Sequence, residues 1–297
     1  MGGNAVIGLV VHPRNDVSES VATVVAVAAR VGARVVARPA DASRLGLFAL
    51  DEPEFAEQAD FVFSLGGDGT MLGAMRLMAG RPTPILGVNH GNLGFLIETS
   101  PAELPGALER LIAGEFSLEP HSGLAAGPDI AFNDVVLTAA KPWTSVALDL
   151  SLNGVRHGYF RCDAVVVCTP TGSTAYNYAA GGPIISPSVP AIGLTPVAPM
   201  AGISRPIVLG GAEVITLRGT APARASLDGA SSVELPEGTD ITLQLRPNAV
   251  NVVRFDRAAH ERRTRIKLSL LDLPLRPDQL IELVPEHLRD RVLKQQS

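Results

Sequence analysis

Cysteine is almost absent: Cys162 and Cys168 are the only two in 297 residues. They lie an even number of positions apart on one strand-like run, so they are expected on one face, about 20 Å apart at strand rise. A disulfide between them is excluded, because its Cα atoms must approach within about 7 Å. Two isolated thiols read as packing residues, and the chain reads as cytosolic. Long apolar runs are missing too. The most apolar N-terminal stretches, "AVIGLVV" and "VATVVAVAA", are interrupted by His12, Pro13 and Arg30, so neither a membrane span nor a signal peptide is expected. There is no basic excess: the formal net charge is -5, which argues against a nucleic-acid surface. His12, His121, His157, His260 and His287 lack metal-ligand spacing, so no protein-built metal site is expected. Trp143 reads as a satellite core residue in preference to an interface or pocket aromatic.

What is present is a globular composition, with 46% hydrophobic and 19% charged residues, at a length that suits two domains of ordinary size. Through the first third, short apolar runs alternate with helical patterns: "AVIGLVV", Ser18 to Arg30, "ARVVARP", Asp51 to Gln58, "DFVFSL", about Thr70 to Met78, and "PILGVN". Such alternation predicts βαβ units on a parallel sheet, a Rossmann-like α/β domain over residues 1–97. From 98 to 269 the period becomes two. Val146, Leu148, Leu150 and Leu152 alternate with polar neighbours, and Asn153-Gly154 and Asp228-Gly229 supply hairpin turns. This part is expected to form a β-rich, sandwich-like domain, with the Pro- and Gly-rich stretch at 181–206 as long loops. The charge run "RAAHERRTRIK" reads as a solvated face. Residues 270–297, ending in a helix-like segment from about Pro285, are expected to join the α/β domain.

The stretch "FVFSLGGDGTMLGAM" leads from a strand through three glycines into a helix. That arrangement presents backbone amides and the positive end of a helix dipole, usually to phosphate. It is neither a Walker loop, since the Lys-Ser/Thr ending is missing, nor a dinucleotide fingerprint. A carboxylate in a phosphate loop repels its occupant, so Asp68 must serve otherwise. It can take a proton from an attacking hydroxyl, hold magnesium through water, or cap the helix beginning near Thr70. The second chemical segment is "TPTGSTAYNYAAGGPI", in which Thr169, Thr171, Ser173 and Thr174 crowd Gly172 ahead of Tyr176 and Asn177. Such hydroxyls can bond an adenine edge, a ribose or a carboxamide, and the tyrosine can close over a ring.

Together with "VNHGNLGFL", "FNDVVL", "FRCDAVVVC" and "GGPI", these segments resemble the NAD kinase family in order and spacing over roughly residues 5 to 270. The resemblance implies transfer of a phosphoryl group from ATP, or from polyphosphate in some members, to the 2′-hydroxyl of the adenosine ribose of NAD. It makes Asp68 the proton acceptor and Gly66, Gly67, Gly69 and Thr70 the phosphate-facing loop, with magnesium accompanying ATP. Asn133, Asp134, Arg161, Asp163, Thr171, Thr174, Ala175, Tyr176 and Ala198 would surround the dinucleotide, with Asp163 at its nicotinamide end. The family's pocket is completed across a subunit interface, which implies a homodimer or homotetramer. His90, Met200 and Ala230 depart from commoner residues at their positions. Two alternatives stand beside this reading: a related kinase acting on another hydroxyl, such as a nucleoside, a lipid or a modified dinucleotide, and a non-catalytic NAD(P)-binding regulator.

Overall fold

The computed structural model describes residues 5–91 and 96–256. The charge run at 257–267, the closing segment with its helix-like stretch, His260, His287 and the centre of "VNHGNLGFL" lie outside these residues. In the first part, β1 (Val6–Val11), α1 (Ser18–Val31), β2 (Arg34–Ala37), α2 (Pro39–Leu45), β3 (Phe48–Ala49), α3 (Glu52–Gln58), β4 (Phe61–Gly66), α4 (Asp68–Leu77) and β5 (Pro84–Asn89) follow the alternation of the sequence. Strand β4 is buried throughout and β1 nearly so, as parallel strands covered on both faces must be. Gly32 ends α1 in the left-handed region at φ 71, and Asp51 caps α3 by accepting the Glu54 amide at 2.9 Å.

These strands pair in parallel in the order β5-β4-β1-β2-β3. The chain winds one way from β1 to β2 and the other way from β4 to β5, so the direction reverses between β1 and β4. The crevice at the carboxyl ends of those two strands is where open α/β sheets bind ligands. Helix α5 (Leu104–Ala113) packs through Leu104, Leu108 and Leu111 into the same apolar cluster as α1, on one face of the sheet. The α/β packing therefore continues past residue 97. Helices α3 and α4 cover the other face, through Phe55, Met71 and Met75.

The second part comprises β6 (Ser117–Ala126), β7 (Asp129–Ala131), β8 (Asp134–Ala139), β9 (Val146–Leu152), β10 (Val155–Cys162), β11 (Ala164–Cys168), α6 (Tyr176–Ala179), β12 (Ala191–Val197), β13 (Ala201–Gly202), β14 (Ile207–Gly210), β15 (Val214–Gly219), β16 (Ala223–Leu227), β17 (Ser231–Leu235) and β18 (Asp240–Arg254). A six-stranded antiparallel sheet, β14-β12-β11-β8-β16-β17, faces the β9–β10–β15–β18 part of a 12-stranded sheet. Leu148, Leu150, Phe160 and Leu217 from one side meet Val165, Val167, Leu194 and Ala225 from the other, a sandwich core. Long β18 joins the two halves, pairing antiparallel with β15 and β6 and parallel with β5.

Two expectations are corrected here. The run holding both cysteines is two strands in different sheets, β10 and β11, separated at Asp163. Phe160 and Cys162 face the sandwich core before that corner, and Val165 and Val167 face it after, so the inward parity flips and the thiols do not share a face. Burial pushes them up to about 11 and about 12. The stretch at 181–206 also holds a strand, β12, inside the six-stranded sheet. Its Pro196 is tolerated because β14 pairs only with residues 191–194, leaving an open edge there.

Candidate active site

The crevice at the reversal point has a volume of about 450 Å³ and is lined by His12, Asn15, Arg38, Gly67, Gly69, Thr70, Gly73 and Arg76, among others. The loop after β1 forms one wall. His12 Nδ1 accepts the amides of Arg14 and Asn15 at 3.1 and 2.9 Å, and Asn15 donates to the His90 carbonyl at 2.6 Å. His90 Nε2 in turn lies 3.0 Å from Ser20 Oγ, and burial lowers its imidazole from the ordinary value.

The opposite wall is the turn from β4 into α4. A Cβ on Gly66 would lie 2.2 Å from Thr70 Oγ1, so packing demands that glycine. Gly67 and Gly69 are different: a Cβ at either would meet nothing within 4 Å among the described residues, and neither has positive φ. Among the described residues, therefore, neither packing nor backbone conformation requires glycine at these two crevice-lining positions. Asp68 is the first residue of α4, and the cap position falls on Gly67, which makes no side-chain cap bond. The capping role considered for Asp68 is thus not the one the helix uses. Its Oδ1 accepts the Leu96 amide at 3.1 Å.

Asn133 precedes β8 and Asp134 opens it. Their backbone is gathered by the carboxylate of Asp228, which accepts the amides of Phe132, Asn133 and Asp134 at 2.7 to 3.2 Å. The same carboxylate holds Arg76 at 2.9 Å. Asp134 is buried, and burial together with the charge of Asp228 pushes its carboxyl up to about 7, against the pull of the Tyr176 amide.

The threonine-rich turn lies directly on this loop. A Cβ on Gly172 would sit 1.9 Å from the Asn133 carbonyl, so only glycine allows the contact. Three of the four hydroxyls expected to face a ligand donate inside the fold, Thr174 among them, to the Thr171 carbonyl at 3.2 Å. Thr169 donates to the Phe132 carbonyl at 2.6 Å, and Ser173 donates to the Pro170 carbonyl at 2.6 Å and accepts the Ile185 amide. Asn177 is locked by Thr195, Ser173 and Pro183. Thr171 and Thr174 are partly buried and Tyr176 is 44% exposed, so these three and Ala175 form the presented edge.

Arg161, Asp163 and Ala198 are elsewhere in this chain. Asp134 pairs with Cys168, and Thr138 with Ala164, so Asp163 stands at the other end of β8 and β11, about 15 Å away at strand rise. There Asp163, Lys141, Trp143 and Met200 line a second cavity of about 450 Å³. Ala198, two residues before Met200, stands at φ 47. Trp143, expected in a satellite core, is instead fully exposed, on backbone at φ 62, a conformation unusual for a bulky residue. The sequence reading also passed over Arg38, Arg76 and Asp228. Arg38 pairs with Asp41 at 3.2 Å and Glu52 at 3.3 Å. Asp228 is hidden in sequence within the Asp-Gly hairpin signal.

The chain matches known proteins over most of its length. A sequence profile described as ATP-NAD kinase N-terminal domain matches residues 7–116, and one described as ATP-NAD kinase C-terminal domain matches residues 132–255. An NAD kinase of Treponema denticola is 38% identical over 214 residues, 67% of this chain and 75% of that one. An NAD kinase of Desulforamulus reducens is 36% identical over 252 residues, 80% of this chain and 88% of that one. The crystal structure of an NAD kinase from Archaeoglobus fulgidus in complex with ATP matches with a TM-score of 0.71 at 25% identity, covering 91% of this chain and 98% of that one. Yeast NADH kinase complexed with NADH matches with a TM-score of 0.79, covering 93% of this chain and 91% of that one; at 22% identity that likeness is one of fold.

Proposed function

The chain belongs to the NAD kinase family, and from that premise we propose that it transfers the γ-phosphoryl group of ATP to the 2′-hydroxyl of the adenosine ribose of NAD, yielding NADP and ADP. The observation that carries the reading is the crevice at the strand-order reversal, with bare Gly67 and Gly69 on its wall, Asp68 between them, and the Asn133–Asp134 loop tied to the same helix.

A ribose hydroxyl is a weak nucleophile at neutral pH, and the enzyme's task is mainly positioning and charge stabilisation. Asp68 accepts the hydroxyl proton as the new oxygen–phosphorus bond forms, and the β,γ-bridging oxygen leaves with ADP. Gly67, Gly69 and Thr70 let the phosphates approach the start of α4, where the helix dipole favours negative charge. Arg38 and Arg76 line the crevice with their charges already paired, to Asp41 and Glu52 and to Asp228. Asn133, Asp134, Thr171, Thr174, Ala175 and Tyr176 hold the adenosine half of the dinucleotide.

Magnesium suits this site as an ion carried in by ATP. Among the described residues no group of three or more acidic, histidine or cysteine side chains is placed to hold a metal, so phosphate oxygens and water would fill most of its shell, with Asp68 reached through water. When bound, it neutralises charge on the phosphates. Asp163, with Arg161 and Ala198 near it in sequence or in the sheet, lies at the opposite end of β8 and β11 from Asp134, a placement that suits a pocket shared between two copies. These three residues complete the site of a second copy, so the working form is a homodimer or a pair of dimers. Two buried thiols and the absence, among the described residues, of a helix long and apolar enough to cross a membrane fit a cytoplasmic enzyme.

The test is incubation of the purified chain with Mg-ATP and a panel of NAD, NADH and nucleosides, with products followed by mass. NAD should gain one phosphoryl group at the adenosine ribose. Phosphorylation of a nucleoside with no product from NAD would replace this reading.

A further inference from the structure

Resting on that reading, we propose that Arg76 and Asp228 are positioning residues for the transfer: their ion pair holds the loop bearing Asn133 and Asp134 in register with the helix that opens with Asp68. Arg76 sits in the third turn of α4, on the face it shares with Gly69 and Gly73, and all three line the crevice. Its side chain is 23% exposed, whereas that of Asp228 is wholly buried.

The carboxylate of Asp228 is more than a counter-ion. It takes three consecutive amides, from Phe132, Asn133 and Asp134, and its own amide donates to the Asp134 carbonyl at 2.9 Å. Asp228 itself stands at φ 48 in the β16–β17 turn, which turns its side chain inward to the loop. Phe132 packs beside Met71 and Met75 of α4, so the apolar contact and the ion pair tie the same two elements. A carboxylate that binds three amides and a guanidinium fixes the loop in both position and orientation. Phosphoryl transfer depends on in-line placement, and a displacement of about 1 Å can cost about 100-fold in rate.

The experiment compares the parental chain with Arg76→Met, Arg76→Lys, Asp228→Asn and the Arg76→Met/Asp228→Asn double variant. It measures kcat, KM for ATP and, by calorimetry, the dissociation constant for NAD, each on protein shown folded by circular dichroism. Arg76→Met is expected to lower kcat about 10- to 100-fold while NAD affinity stays within about threefold, with the greater part of turnover restored in Arg76→Lys. The double variant should be no worse than the more damaged single variant, because the pair acts as one unit. Asp134 faces Asp228 on the turn, Tyr176 on α6 and Cys168 across β11. Asp228→Asn should therefore also move the midpoint of the pH dependence of NAD binding downward, while the split between kcat and NAD affinity in the Arg76 variants separates positioning from a merely structural role.

Parental kcat in Arg76→Met would overturn the proposal, as would a rise in KM for ATP alone, which would make Arg76 only a phosphate contact. If Asp228→Asn fails to fold, the Arg76 variants decide the matter. A parental chain that phosphorylates no dinucleotide would instead refute the functional reading, and the pair's role with it.

Discussion

The Arg76 guanidinium lies 2.9 Å from the Asp228 carboxylate, across the junction between the α/β layer and the β sandwich, and the side chain of Asp228 is fully buried. Removing one partner of such a pair leaves an uncompensated charge and three amides without their acceptor. Asp228→Ala is therefore expected to lower the unfolding free energy by about 3–5 kcal/mol, read as a shifted midpoint in urea. A loss below about 1 kcal/mol would show that water replaces the carboxylate freely.

The raised carboxyl of Asp134 sets a pH dependence. Its folded value, about 7, lies above the ordinary 3.8. Its contribution to folding is therefore fully present below about 4 and lost as pH rises through about 7. Ligand binding has the opposite sign, because hydroxyls donating to Asp134 favour the ionised form. NAD affinity should rise about tenfold between pH 6 and pH 8, with proton release on binding below pH 7. Calorimetry in buffers of different ionisation enthalpy measures both, and Asp134→Asn should flatten the profile. A parental affinity already flat across this range would contradict the assignment.

Gly69 and Gly73 face the crevice, and among the described residues a methyl at either would meet no close neighbour: the nearest atom is Arg76 Nη2, 3.9 Å from a Cβ at Gly73. Glycine inside a helix costs about 1 kcal/mol relative to alanine. Gly73→Ala should thus raise stability by up to about 1 kcal/mol, and Gly69→Ala should leave it unchanged or higher. Both should raise KM for ATP by narrowing the crevice. Thermal melts and steady-state kinetics on the same samples separate the two effects, and unchanged KM in both variants would place the phosphates elsewhere.

Trp143 is the single tryptophan, and it stands fully exposed beside Asp163 and Met200. It therefore reports directly on the face assigned to a second copy. Its emission should shift to shorter wavelength as protein concentration rises through the association range. Emission that stays at the solvent-exposed wavelength in a species shown by sedimentation to be dimeric would place the interface on another face.

Local chemistry made much of this legible. The strand–glycine–helix passage at Asp68, the alternation through β5 and the Asn153-Gly154 hairpin, at φ 51 and 81, all depend on neighbours in sequence. The unread parts depend on distant partners. Asp228-Gly229 was read rightly as a turn, but nothing nearby reveals that its carboxylate turns inward to amides almost a hundred residues earlier. Thr169 and Ser173 look like ligand groups because the Phe132 carbonyl that Thr169 bonds and the Ile185 amide that Ser173 accepts come together only in the fold. Pro196 and Gly193 disguised β12. Gly193 is there because a Cβ would lie 2.7 Å from Cys168 Sγ, a contact between adjacent strands. The parity flip at Asp163 likewise follows from a corner between sheets.

The central claim is that Asp68 takes the proton from the ribose hydroxyl, and Asp68→Asn tests it most directly, because the amide keeps the shape and the bond to the Leu96 amide. The measurement is kcat for NADP formation at saturating ATP and NAD, alongside NAD affinity by calorimetry. The account predicts a kcat about 10²- to 10⁴-fold lower with NAD affinity little changed, whereas turnover near the parental rate would contradict it.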